Sequence, residues 1–107
     1  MNLKNCELKK IFAVLFISFS FSNDIDFLSK AASAIKDKKY KEALIYLDIA
    51  ENDNKKNPDF LRLKALTYEI LDKPDQAKKA WKKCHKYSVD TNMKREAKIH
   101  IQNLSNN

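Results

Sequence analysis

The chain of 107 residues contains no glycine, and only two prolines, two cysteines and two histidines. Tight β-hairpin turns need residues that tolerate positive φ, so the lack of glycine argues against an all-β fold and against every glycine-rich phosphate loop. Two cysteines and two histidines are too few for a zinc ribbon or a disulfide framework. Arginine is also scarce: apart from Arg62 and Arg95, all 21 basic residues are lysine, set against 14 acids for a net charge of +7. Lysine makes a hydrated positive surface rather than a bidentate reader of phosphate. No serine–histidine–acid order, paired-carboxylate motif or HExxH is present, so neither catalysis nor a cofactor is expected. What remains is a globular balance, with 44% hydrophobic and 33% charged residues in a length that allows one small domain.

The first part of the chain, residues 1–22, differs from the rest. Lys4, Lys9 and Lys10 make a positive start with Glu7 the only acid, and the stretch from Ile11 to Phe21 is uncharged and apolar. Ser20 and Ser22 then precede the polar turn of the chain at Asn23. This order is that of a secretory signal peptide cleaved after Ser22. As a helix the apolar stretch reaches about 16 Å, roughly half a bilayer core, which is short for a spanning anchor. Two alternatives are an uncleaved anchor in the inner membrane through residues 11–21 and a buried core helix. Cys6 precedes the run, whereas a lipidated cysteine would follow it. The expectation is a signal peptide over residues 1–22, export to the periplasm or cell envelope, and a domain over 23–107. That domain has 18 basic and 13 acidic side chains and one thiol, Cys84.

The domain reads as helix throughout. Asn23 or Asp24 can cap a helix carrying Ile25, Leu28, Ala31, Ala32 and Ile35 at helical spacing. A second helix is predicted from about Tyr40 to Asn52, with Ala43, Leu44, Leu47 and Ala50 on one face, followed by a polar linker over residues 53–57. Asn57 caps a third helix with Pro58 at its first position, where a missing N–H costs nothing. Pro74 opens a fourth by the same device, with Ala77, Trp81 and Cys84 inward. A fifth runs from about Thr91 to Leu104, with Met93, Ala97, Ile101 and Leu104 in line.

These helix pairs are copies of one unit. Phe27 matches Leu61, Ala31 matches Ala65, Ala43 matches Ala77, Leu47 matches Trp81 and Ala50 matches Cys84, each at an offset of 34. A fixed period of that length marks stacked helical hairpins. Two helices joined by a short turn approach closely only where small side chains occupy the crossing, which suits Ala31 with Ala43 and Ala65 with Ala77.

At Ala31-x-x-Ala34, Tyr40-Lys41-Glu42-Ala43-Leu44, Leu47 and Ala50, and again at Ala65-x-x-Tyr68, Pro74-Asp75-Gln76-Ala77, Trp81 and Cys84, the sequence resembles the tetratricopeptide repeat family. The resemblance covers about residues 24–88. It implies an all-α fold, a short right-handed solenoid of two hairpins (repeats over about 24–57 and 58–90) with a closing helix over about 91–104. It also implies protein binding without catalysis. The family commonly has glycine at the crossing and in the hairpin turn; here alanine stands at the crossing, and Lys38 and Asp72 stand in the turns. A left-handed turn residue there would cost about 1 kcal/mol.

The resemblance further implies a concave groove lined by the first helix of each hairpin. Counting along the hairpins puts Leu28, Ala32, Ile35, Arg62, Leu66 and Glu69 there, with Glu96 and His100 at its far end. Some family members clamp a terminal carboxylate with asparagines and lysines in that groove, but the equivalent places here hold Leu28, Ala32 and Leu66, which do not support that mode. The partner is expected to be another protein or peptide, or a second copy of the chain. A separate candidate is the lysine face of the fourth helix, Lys78, Lys79, Lys82, Lys83 and Lys86, which could meet an anionic membrane or cell-wall polymer. Nucleic acid would require that the chain is not exported, and its scattered tyrosines are not spaced as a stacking platform. Trp81 and Cys84 read as core residues, and Cys84-His85 do not converge on a metal, because adjacent helical side chains point about 100° apart. Ile45 and Ile49 fall on the outer side of the second helix, where an apolar patch would be costly to leave in water.

Overall fold

The computed structural model describes residues 26–106, so the expected signal segment and its apolar run lie outside the described residues. Within them five helices follow one another: α1 (Asp26–Lys36), α2 (Tyr40–Asn54), α3 (Pro58–Ile70), α4 (Pro74–Tyr87) and α5 (Thr91–Ser105). Among the described residues there is no strand, and the fold class is all-α. Proline opens α3 and α4 as expected, and the Asn57 side chain accepts the Asp59 N–H at 3.0 Å. Asp90 does the same for α5, accepting the Asn92 N–H at 3.1 Å. Each cap satisfies an amide that has no partner within its own helix.

The expected polar linker over residues 53–57 is shorter than predicted, because α2 continues through Asn54. Asn54 stays helical by turning its own polarity inward. Its Nδ2 donates to the Ala50 carbonyl at 2.7 Å, and its Oδ1 accepts from Asn57 Nδ2 at 2.9 Å. The asparagine that ends one helix is thereby tied to the asparagine that caps the next.

Both hairpin turns have one geometry, repeated at the period of the sequence. The Lys39 N–H reaches back to the Ala34 carbonyl at 2.8 Å and the Lys38 N–H to Ile35 at 3.0 Å. In the second turn the Lys73 N–H reaches Tyr68 at 2.9 Å and the Asp72 N–H reaches Glu69 at 3.0 Å. This pair of bonds is the Schellman motif, which needs a left-handed residue at its corner. Lys38 (φ 62°) and Asp72 (φ 57°) take that conformation without being glycine.

The turns let the helices close on a common core. Trp81, Phe60, Leu47, Thr67 and Cys84 are its largest fully buried side chains, and Ala31, Ala43, Ala65 and Ala77 are all fully buried. Four of the five matched pairs are therefore buried in both copies. The exception is Phe27, 36% exposed where Leu61 is covered. The Phe27 ring instead lies 6.5 Å from that of Tyr46, with Lys30 Nζ 5.6 Å above it. Packing is most extensive between α3 and α4, close behind between α1 and α2 and between α4 and α5, and thinner between α2 and α3. The α5 helix contributes buried Ala97 and lays Met93, Ile101 and Leu104 against the core.

Replacing the corner residue with glycine removes the Cβ clash of the left-handed conformation. Lys38→Gly and Asp72→Gly should each raise the free energy of unfolding by about 0.5–1 kcal/mol, read as a higher melting temperature. Lys36→Gly, two residues earlier and within α1, should lower it by about 1 kcal/mol. Equal effects at the three positions would contradict the strained-corner account.

Candidate functional site

The residues expected to line a groove divide into two groups. Leu28, Arg62 and Glu96 occupy equivalent positions of α1, α3 and α5, and so do Ala32, Leu66 and His100. The structure brings the charged members together. Arg62 Nε donates to Glu96 Oε2 at 2.9 Å, and this bond holds the guanidinium even further above its ordinary pKa. Glu69 Oε2 accepts the indole Nε1–H of Trp81 at 2.6 Å, and His100 Nδ1 lies 2.8 Å from the same oxygen. The rings of Trp81 and His100 stack with centroids 4.3 Å apart and 19° between planes. Arg62 and Glu69 are thus occupied in joining α3 to α4 and α5. Of the apolar members, Leu28, Ile35 and Leu66 are half-buried and Ala32 is exposed.

The lysine face is also less uniform than expected. Lys79 and Lys83 share a stripe with Gln76, Ala80 and Tyr87, and this stripe forms one wall of a cleft of about 510 Å³ between α2, α3 and α4. Lys82 and Lys86 are exposed and Lys78 half-buried, and none of the three lines the cleft. Lys55, Lys56 and Lys64 bring the lysines around the opening to five, against one carboxylate, Glu51. Lys64 Nζ is ion-paired with that carboxylate. The bond to Lys64 holds Glu51 below the usual carboxylate range, and the nearby charges of Lys83 and Lys55 act in the same direction. The sequence pattern contains the stripe on α4, but the cleft also needs the end of α2 beside it, which residue spacing alone does not bring there.

Ile45 and Ile49 lie on the outer side of α2 as counted, 59% and 51% exposed. Cys84 is buried, with its Sγ donating to the Pro58 carbonyl at 3.5 Å, while neighbouring His85 is exposed. Burial, with a smaller push from Glu96, raises the thiol to about 11. Among the described residues no three of His, Cys, Asp and Glu gather as metal ligands, and no helix is long and apolar enough to cross a membrane. No protein-family model, curated protein or solved structure matches the chain.

A thiol raised to about 11 and covered on all sides should resist alkylation, because the thiolate is the reacting species. In a Cys6→Ser background, iodoacetamide at mildly alkaline pH should label Cys84 at least about a hundredfold more slowly in the folded protein than in denaturant. Comparable rates would place the thiol at the surface.

Proposed function

We propose that this chain is an exported, non-enzymatic protein-interaction module. Its architecture would be a short right-handed solenoid of two tetratricopeptide-like hairpins, with α5 covering the open end. The observation that carries this reading is the duplication. The same two hydrogen bonds, the same left-handed corner and the same buried alanines recur from the first hairpin to the second, one sequence period apart. Repeats of this kind bury a continuous core by stacking and leave extended surfaces for partners. The positive start at Lys4, Lys9 and Lys10 and the short apolar run at residues 11–21 support export, and the lack of a catalytic motif in the sequence supports binding as the role.

The contact surface in this reading is apolar. Ile45 and Ile49 are exposed on α2, and half-buried Leu28 and Ile35 lie on α1. A second reading is a basic module held to an anionic membrane or cell-wall polymer, favoured by the exposure of Lys79, Lys82, Lys83 and Lys86 on one helix.

Salt separates the two. A partner recovered from membrane extract should survive a change from low to moderate salt, because burial of apolar area is not screened. Ile45→Asp should abolish recovery and Lys82→Glu should leave it in place. Loss confined to Lys82→Glu, with steep salt dependence, would establish the second reading instead. Export makes a separate demand: the native protein should begin at Asn23 by intact mass, and a soluble chain still beginning at Met1 would refute it.

A further inference from the structure

The cleft between α2, α3 and α4 concentrates charge that the fold does not use. Lys55, Lys56, Lys79 and Lys83 surround it, and none of the four forms an ion pair of its own among the described residues. Like charges gathered around a recess repel one another, and an anion held in the recess relieves that repulsion. Behind this rim the floor is apolar, made by buried Phe60, Leu61 and Ala80, with Tyr68 and Tyr87 at its sides. Glu51 already shows which anion suits the rim, since its carboxylate is taken by Lys64 and favoured by Lys83 and Lys55.

We infer that this cleft binds an acidic peptide segment of another protein, with side-chain carboxylates on the lysine rim and one apolar side chain on the floor. The inference rests on the protein-binding reading and supplies the chemistry of the partner. Charge complementarity selects the occupant. A second copy of the domain, with 18 basic and 13 acidic side chains, would be repelled from a recess of the same sign. A flat bilayer would find its lysines at exposed Lys82 and Lys86 outside the cleft, and a recessed apolar floor adds nothing to such a contact. Phosphate is the weaker match, because no arginine fork lines the cleft. The cleft therefore adds a salt-sensitive contact to the salt-tolerant one proposed for Ile45 and Ile49.

The test uses the whole domain and three fluorescent synthetic decapeptides. The first consists of aspartate and glutamate around a central leucine and phenylalanine. The second has alanine in place of these two, and the third has asparagine and glutamine in place of the acids. By anisotropy, the first should bind, the second about tenfold more weakly, and the third not measurably. Lys79→Glu with Lys83→Glu should weaken the first peptide by about tenfold or more, whereas Lys82→Glu, the same charge change outside the cleft, should have little effect. Far-ultraviolet circular dichroism of each variant checks that the helices persist. Vesicles of phosphatidylglycerol form the remaining arm. Peptide binding that ignores Lys79 and Lys83 would overturn the cleft assignment while leaving the protein-binding reading intact. Vesicle binding with no peptide binding would overturn the cleft assignment and support the anionic-membrane reading, while the apolar surface at Ile45 and Ile49 is decided separately by the Ile45→Asp recovery.

Discussion

The largest side chain in the core carries one polar atom, and much of the architecture follows from giving that atom a partner. Trp81 is fully buried, so its indole N–H would cost about 1–3 kcal/mol if left without an acceptor. Glu69 of α3 supplies the acceptor, and His100 of α5 lies against both the carboxylate and the ring. Three helices are fixed by one cluster. Arg62 and Glu96 repeat the link from α3 to α5 with opposite charges. The second hairpin and α5 therefore form a unit, held by a buried ring and two polar contacts at its edge.

The first hairpin uses the same plan with fewer resources. Leu47 stands where Trp81 stands, and it has no polar atom to orient. Phe27 stands where Leu61 stands and remains partly exposed. Packing between α2 and α3 is thin compared with packing inside each hairpin, and the asparagine pair and the Lys64–Glu51 ion pair carry part of that join. Surface ion pairs contribute modestly. The same thin join opens the cleft, since closer packing of α2 on α3 and α4 would fill it with side chains. Weak coupling between the hairpins and the recess beside them have one cause.

Much of this was legible in the residues. Proline after asparagine or lysine marked the starts of α3 and α4, and the constant offset paired Ala31 with Ala65 and Ala43 with Ala77. The same offset joins Arg62 to Glu96, so that ion pair could have been read from period and charge together. The contact of His100 with Glu69 falls off that period. It depends on how far α5 is tilted and on the reach of both side chains, neither of which is encoded in spacing. The α2 helix runs past the length its polarity predicts for a local reason: Asn54 looks like a helix breaker until its amide finds the Ala50 carbonyl. The basic stripe on α4 was visible, but its division into cleft-lining and outward lysines needed the neighbouring helix.

The order of the helices along the chain also has a consequence in time. Protein synthesis delivers α1 and α2 first, and neither contains the groups that hold the better-packed unit together. Trp81 and its partner on α3 come later, and His100 and Glu96 arrive only with α5, the last of the described helices. A growing chain therefore lacks its main clamp until almost all of these helices have emerged. Until then the Trp81 indole and the Glu69 carboxylate lack the third member of their cluster, the His100 ring.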